Sequence, residues 1–315
     1  MKTILLLLVL FISTYSQAQN PIDEKKMYVR SVYLVSKDKL PNPEFTGAIN
    51  STLKNIQNWY RLQLDGYTFN LHPEGVRVIK ADVDSTYFST TPNGNDKDAW
   101  GILNCEKISK RIFGGRFLDP NSIWVVYSDS TDWGGQGGSG FTCMPGGDLL
   151  GLIGKNHTNL NIERWIGGAA HEIGHAFGLT HPTNNVQTNK ALMAFGWHSD
   201  YPENTFLSKE EKDQLAKSPF FYKDGVSILG KVLEKLYVPE GWFELRENGH
   251  WYEFKYNNSI SFVFSKVSEN NHTVTLFDKS RNLYLRLPKK GGMAYFSMGN
   301  QNDWKFVFKV SQKKI

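Results

Sequence analysis

Residues 169–182 read AAHEIGHAFGLTHP, and three of the chain's eight histidines, His171, His175 and His181, fall inside this stretch. The first two stand four apart, a spacing that on a helix puts both imidazoles on one face, able to converge on one ion. Gly178 follows three residues after the second, where a helix can end in the left-handed conformation that glycine adopts without steric cost. The chain can then turn and bring His181 back as a third ligand. Three neutral imidazoles leave a fourth tetrahedral position open, the arrangement of a catalytic zinc rather than of a closed structural one. Glu172, beside the first histidine, is placed to accept the proton of a metal-activated water as it attacks a carbonyl, and to deliver it to the leaving amine. A pair of histidines at helical spacing is often only a solvated or core pair. The five fixed positions of HExxHxxGxxH, by contrast, arise by chance on the order of a few times in a hundred million starts.

HEIGHAFGLTH resembles the extended zinc signature of the metzincin metallopeptidases, which also carry a methionine-containing turn beneath the metal. Here ALMAFGW supplies Met193, twelve residues beyond His181. The resemblance covers residues 20 to about 221, with its specific part confined to 171–193. It implies an α+β zincin-like catalytic domain over 19–222 and one catalytic Zn2+ ion held by His171, His175 and His181. It also implies Glu172 as general base, Met193 as the base of the site, and hydrolysis of a protein or peptide substrate by a zinc-bound water. Pro182 follows the third histidine, as in the serralysin-like branch. That branch and the astacins place a tyrosine two residues after the methionine, where this chain has Phe195. A phenolic ligand or oxyanion donor at that position is therefore absent; Tyr201 and His198 lie nearby in sequence without an assigned role. The subfamily stays open.

These residues need elements to position them. MYVRSVYLV (27–35) reads as a strand, and 43–62 repeats apolar residues at helical spacing through Ile49, Leu53, Ile56, Trp59 and Leu62. Residues 67–79 read as extended, 96–113 as a helix stopping before Gly114-Gly115, and SIWVVY (122–127) as a buried strand. Alternating elements imply an α/β or α+β layer architecture. The stretch 132–154 carries glycine at nine positions without a phosphate-loop pattern. It is either a mobile loop or an edge segment that lies close to bound peptide backbone. A helix begins near Asn161 and runs through the histidine motif to Gly178. Ser208 and Glu211, at capping-box spacing, start another helix that stops before Pro219.

Beyond about residue 225 the texture changes to short segments dense in Trp, Tyr, Phe and Val with Asn/Gly turns, which predicts a small all-β domain of five or six strands over 225–315. Alternating aromatics fill the interior of such a sandwich or barrel, or else form a ligand platform. Residues 223–315 hold 15 Lys/Arg against 9 Asp/Glu, a net charge of +6, with Lys289-Lys290 at a turn and Lys313-Lys314 near the end. That surface suits an acidic polymer or cell-surface glycan.

The chain of 315 residues, 40% hydrophobic, can bury a substantial core and has room for two domains. A formal charge of +5 without long like-charge runs argues against a dedicated nucleic-acid binder. MKTILLLLVLFISTYSQA has the charged start, apolar run and small terminal residues of a signal peptide, residues 1–18, which implies a secreted protein, extracellular or periplasmic. An N-terminal anchor is the alternative, but the run is short for a bilayer, and no later segment reads as transmembrane. Cys105 and Cys143 can form one disulfide in an oxidising compartment, or remain two buried thiols. The functional reading is a secreted zinc endopeptidase. The alternative is a secreted binding or adhesion protein on a zincin scaffold with a C-terminal β module. A scaffold has no need of a carboxylate at Glu172, whereas hydrolysis does.

Overall fold

The computed structural model describes residues 27–312 apart from 115–118, 132, 159, 184–185, 225, 248 and 256–259. Residues 1–18, whose sequence reads as a signal peptide, and Lys313-Lys314 lie outside the described residues. Strand β1 (Tyr28–Val35) is largely apolar on both faces, as suits a strand with parallel neighbours on each side. It pairs in parallel with β2 (Thr68–Lys80) and β3 (Ser122–Asp129). Parallel pairs require long crossovers. Helix α1 (Pro43–Gln63) supplies the first, and α2 (Tyr87–Thr90) with α3 (Trp100–Phe113) the second.

Helix α1 begins with Pro43 at its first position, after Asn42, whose side chain accepts the Glu44 N–H at 3.0 Å. Ile49, Leu53, Ile56 and Trp59 are buried as their spacing predicts, but Leu62 is 72% exposed. Each step of three residues falls about 60° short of a full turn, so the series has rotated off the buried stripe by Leu62.

The glycine-rich stretch is not one long loop. It forms β4 (Gln136–Gly138), β5 (Phe141–Met144) and α4 (Gly146–Leu152). Strand β5 joins β3 in parallel and β4 pairs antiparallel with β5 at the sheet edge. On the opposite side β6 (Phe221–Lys223) returns antiparallel to β2 and pairs with β7 (Val226–Ser227), giving the order β4-β5-β3-β1-β2-β6-β7. Side chains of β1 alternate between two layers. Tyr33 and Val35 meet residues of α1 and α5 (Ile162–Ala176), whereas Val32 and Leu34 meet residues of α3. The architecture is α+β.

Eight strands follow: β8 (Val232–Val238), β9 (Gly241–Arg246), β10 (His250–Lys255), β11 (Ile260–Glu269), β12 (Thr273–Asp278), β13 (Leu283–Pro288), β14 (Gly292–Met298) and β15 (Lys305–Val310). They form an antiparallel meander in sequence order. Tyr237 of β8 and Ser311, just past β15, exchange two backbone hydrogen bonds of 2.8 Å, so the two ends of the sheet meet and it curls on itself. The sequence suggested five or six strands. The difference comes from β8, whose VLEKLYV holds a single aromatic residue, and from β9 and β10, which the sequence presents as one continuous aromatic stretch, WFELRENGHWYEF. Phe243, Trp251, Phe264 and Leu276 fill the interior of this sheet, while Trp242 and Phe254 stack outside it with ring centres 5.3 Å apart.

Cys105 of α3 and Cys143 of β5 form a disulfide, both wholly buried in the layer that α3 covers. The bridge closes a sequence separation of 38 residues. In the chain-entropy model such a cross-link contributes about 4 kcal/mol by restricting the unfolded chain. Alkylation without reductant should therefore label no thiol in the native protein. A Cys105→Ala, Cys143→Ala double variant should unfold in urea with a stability loss of that order. Two labelled thiols in natively folded protein would contradict the pairing.

Candidate metal centre

Helix α5 runs through the core with small residues on its contact faces. A Cβ on Gly174 would lie 2.6 Å from Met193 Sδ, and one on Gly167 2.4 Å from the Trp197 carbonyl oxygen. A Cβ on Gly137, in the edge strand β4, would meet the Glu172 carbonyl oxygen at 2.2 Å. Glycine at these three points lets the methionine turn, the chain after it and the sheet edge press directly on the helix. Asn161 occupies the N-cap position in an extended conformation, but its side chain makes no capping hydrogen bond.

The helix ends as the glycine predicts. Gly178 has φ +94°, its N–H donates to the His175 carbonyl at 2.9 Å, and the Leu179 N–H donates to the Gly174 carbonyl at 3.0 Å. This pair of bonds is a Schellman motif, and it reverses the chain so that His181 faces the helix. The Nε2 atom of His181 lies 3.1 Å from Nε2 of His171 and 3.1 Å from Nε2 of His175. Burial decreases along the series, from His171 (buried) through His175 (intermediate) to His181 (exposed).

The other ring nitrogens decide what this convergence means. His171 Nδ1 lies 2.8 Å from the Leu192 carbonyl oxygen and His175 Nδ1 lies 2.8 Å from the Leu179 carbonyl oxygen. A carbonyl only accepts, so each Nδ1 carries the proton and, in the neutral ring, each Nε2 presents a bare lone pair. His181 can place at most one proton on its own Nε2, so at least one of the two 3.1 Å contacts sets lone pair against lone pair. Protonating His171 or His175 would supply a donor, but burial opposes it. Burial holds His171 down to about 3 and also lowers His175. A cation fits instead: three imidazole ligands at ~2.0–2.1 Å in tetrahedral array stand about 3.3 Å apart.

Met193 is fully buried in the turn Leu192–Gly196, which leads into α6 (Trp197–Ser199). Two bonds fix this turn from outside. Leu192 N–H donates to the Phe206 carbonyl at 2.9 Å, and Met193 N–H donates to Glu211 Oε1 at 3.1 Å. Glu211 lies in α7 (Lys209–Leu215), where Ser208 and Glu211 form the anticipated capping box: the Ser208 hydroxyl accepts the Glu211 N–H, and Glu211 Oε2 accepts the Ser208 N–H at 2.7 Å. One buried carboxylate thus ties the start of α7 to the turn beneath the histidines. The spacing revealed the cap. The second role, across 18 residues, had no local signal.

Glu172 does not join the histidine cluster as a ligand. Burial, reinforced by Asp148, pushes its carboxyl up to about 8, while a hydrogen bond from the Gly137 backbone and the Arg164 charge act in the opposite direction. Tyr201 is buried in the core, with its hydroxyl donating to Asn55 Oδ1 at 3.0 Å, and so is committed elsewhere. Asp148, Arg164 and Trp197, none of them apparent from motif spacing, surround the histidine face of α5.

No family model and no curated protein matches the sequence. Among solved structures, the chain is similar to OgpA from Akkermansia muciniphila, with 14% identity over 90% of this chain and 92% of that one, at a TM-score of 0.47. It is similar also to a catalytically inactive OgpA in complex with an O-glycopeptide substrate, glycodrosocin, with 13% identity, coverages of 90% and 92%, and a TM-score of 0.48. A third similarity is to archaemetzincin from Methanopyrus kandleri, with 14% identity over 62% of this chain and 96% of that one, at a TM-score of 0.32. These scores are all below 0.5, and the functional reading rests on the chain's own residues.

The dual role of Glu211 is testable. Glu211→Ala removes the acceptor of the Ser208 N–H, the reciprocal half of the capping box, worth ~1 kcal/mol, and leaves the buried Met193 N–H unpaired, a further ~1–3 kcal/mol. Urea unfolding should show a loss of ~2–4 kcal/mol. A loss below about 0.5 kcal/mol, the range of a neutral surface change, would contradict it.

Proposed function

We propose that the chain is a secreted zinc-dependent endopeptidase, with residues 19–222 as a metzincin-like catalytic domain and 225–315 as an accessory β module. The observation that carries this reading is the convergence of three Nε2 atoms, two of them on rings whose Nδ1 is already committed to a backbone carbonyl. His171, His175 and His181 would hold the ion, with Met193 packed beneath them. Bound zinc supplies Lewis-acid polarisation of the scissile carbonyl and of the attacking water.

The remaining steps belong to the protein. Glu172 takes a proton from the attacking water and returns it to the leaving amine. Its raised affinity for the proton suits it to be the acid in the second half, and a dication in the neighbouring histidine cluster lowers that affinity for the first half. The Leu192 and Leu179 carbonyls fix the orientation of His171 and His175. Strand β4 has β5 on one side only, so its outer edge offers backbone groups to an extended peptide lying along the histidine face. The acidic residues of the β module are largely paired with cations: Glu269 with Lys266 and Lys289, Glu244 with Lys235 and Arg246, Asp278 with Arg281. The surplus of basic residues gives this module its net +6 and suits an acidic polymer or cell-surface glycan.

Glu172→Gln should keep one zinc per chain and lose peptide hydrolysis by ~100-fold or more. His181→Ala should lose the metal together with the activity. Metal analysis and turnover of both purified variants decide the assignment: full activity in the first, or wild-type zinc affinity in the second, would sink it. Retention of the full chain on an anionic polysaccharide should weaken between low and physiological salt, because exposed charges are screened beyond ~8–10 Å there. Salt-independent retention would refute the electrostatic reading of the module.

A further inference from the structure

Arg164, Gly168 and Glu172 stand four apart on α5 and so share one face of the helix. The Arg164 side chain extends towards the histidines over Gly168, where a Cβ would lie 2.8 Å from its Nη1. Its guanidinium carbon sits 4.1 Å from the centre of the Trp197 ring and 5.2 Å from that of Trp165. The Trp197 ring in turn lies 5.4 Å from the His171 ring. Guanidinium, indole and imidazole thus form a row that leads to the metal-ligand cluster.

The placement is costly for a cation. Burial is the dominant influence on the Arg164 charge, while Asp148 and Glu172 favour it at a distance. Among the described residues no carboxylate lies within ion-pair distance of the guanidinium, it donates no hydrogen bond, and its Nε is buried without a partner. A guanidinium holds five donors in a rigid fork, and half-buried charges are ordinarily paired. The stacked Trp197 stabilises the cation but accepts none of those donors. What such a fork matches is a carboxylate, bound by two parallel hydrogen bonds. With a dication on the histidines, Arg164 together with Glu172 and Asp148 leaves this region at a net charge of +1, which admits an anion.

We infer that Arg164 anchors a carboxylate of the substrate next to the scissile bond, and so sets a preference for an acidic group there. This rests on the peptidase reading of the histidine site. The carboxylate has two sources, an Asp or Glu side chain or the peptide's own C-terminus. The fork recognises the same chemistry in both.

The test uses the full zinc-loaded chain and pairs of peptides that differ only by Asp for Asn, or Glu for Gln, at positions flanking the cleaved bond, all with amidated C-termini. A second set, with neutral side chains, compares free and amidated C-termini. In one of the two sets the carboxylate form should be favoured by about 10- to 100-fold in kcat/KM, the range of a charge-assisted hydrogen-bond pair. The set that shows it identifies the source. Arg164→Gln should bring that ratio near one, and Arg164→Glu should invert it in favour of the neutral form. Zinc content confirms that both variants are folded. The same peptides titrated calorimetrically into Glu172→Gln protein should show the same discrimination in binding. Carboxylate-selective binding without any cleavage by the native chain would overturn the peptidase reading and leave the anchor standing. Cleavage with no carboxylate preference, or a preference untouched by Arg164→Gln, would overturn the anchor and leave the peptidase. Absence of both binding and cleavage would overturn both.

Discussion

The 2.8 Å hydrogen bond from His171 Nδ1 to the Leu192 carbonyl joins the helix that carries the histidines to the turn that carries Met193. It also fixes which nitrogen of His171 is bare. The matching bond from His175 to Leu179 does the same for the second ring, through the turn that Gly178 permits. With both protons spent on carbonyls, two lone pairs converge on the Nε2 of His181 at distances that two protonated rings could not share. The fit of the site to a cation therefore follows from backbone positions, and those positions depend on how closely the surrounding elements approach α5.

That approach is set by missing side chains. Gly174 admits the Met193 thioether, Gly167 admits the chain at Trp197, and Gly137 brings the edge of the sheet against Glu172. The same contacts bury His171 and Glu172, which is why the first is held neutral and the second holds its proton more tightly than an exposed carboxyl. Glu211 completes the arrangement by binding the Met193 N–H from α7, so the helix cap, the turn and the histidine face form one connected network. Arg164 belongs to this face but not to the network: its charge is stacked on Trp197, and among the described residues its buried Nε meets no acceptor.

Much of this was legible in the sequence because it is local. The spacing of His171, His175 and Gly178 encodes a helix face and its ending, and Ser208 with Glu211 encodes a helix start; each depends on residues within a turn or two. The strand β1, the buried run of β3 and the apolar stripe of α1 followed from local pattern, the last up to Leu62, where three-residue steps drift off the stripe. What escaped was relational. That Leu192 and Leu179 orient the rings, that Glu211 reaches Met193, and that Arg164 faces Glu172 across Gly168 are consequences of packing between segments. The glycines of 132–154 looked alike in sequence, yet only contact with Glu172 separates Gly137 from its neighbours. The β module gave its class through aromatic alternation, but its strand number depended on β8, whose single aromatic weakens the pattern, and on the tight turn that divides β9 from β10.

On this reading one cation completes the three histidines. Zinc-edge X-ray absorption of the purified full chain tests it without recourse to activity. One zinc per chain is expected, ligated by imidazole nitrogens at ~2.0–2.1 Å with no sulfur. A protein that takes up no stoichiometric metal, or one whose zinc shell lacks imidazole scattering, would contradict it.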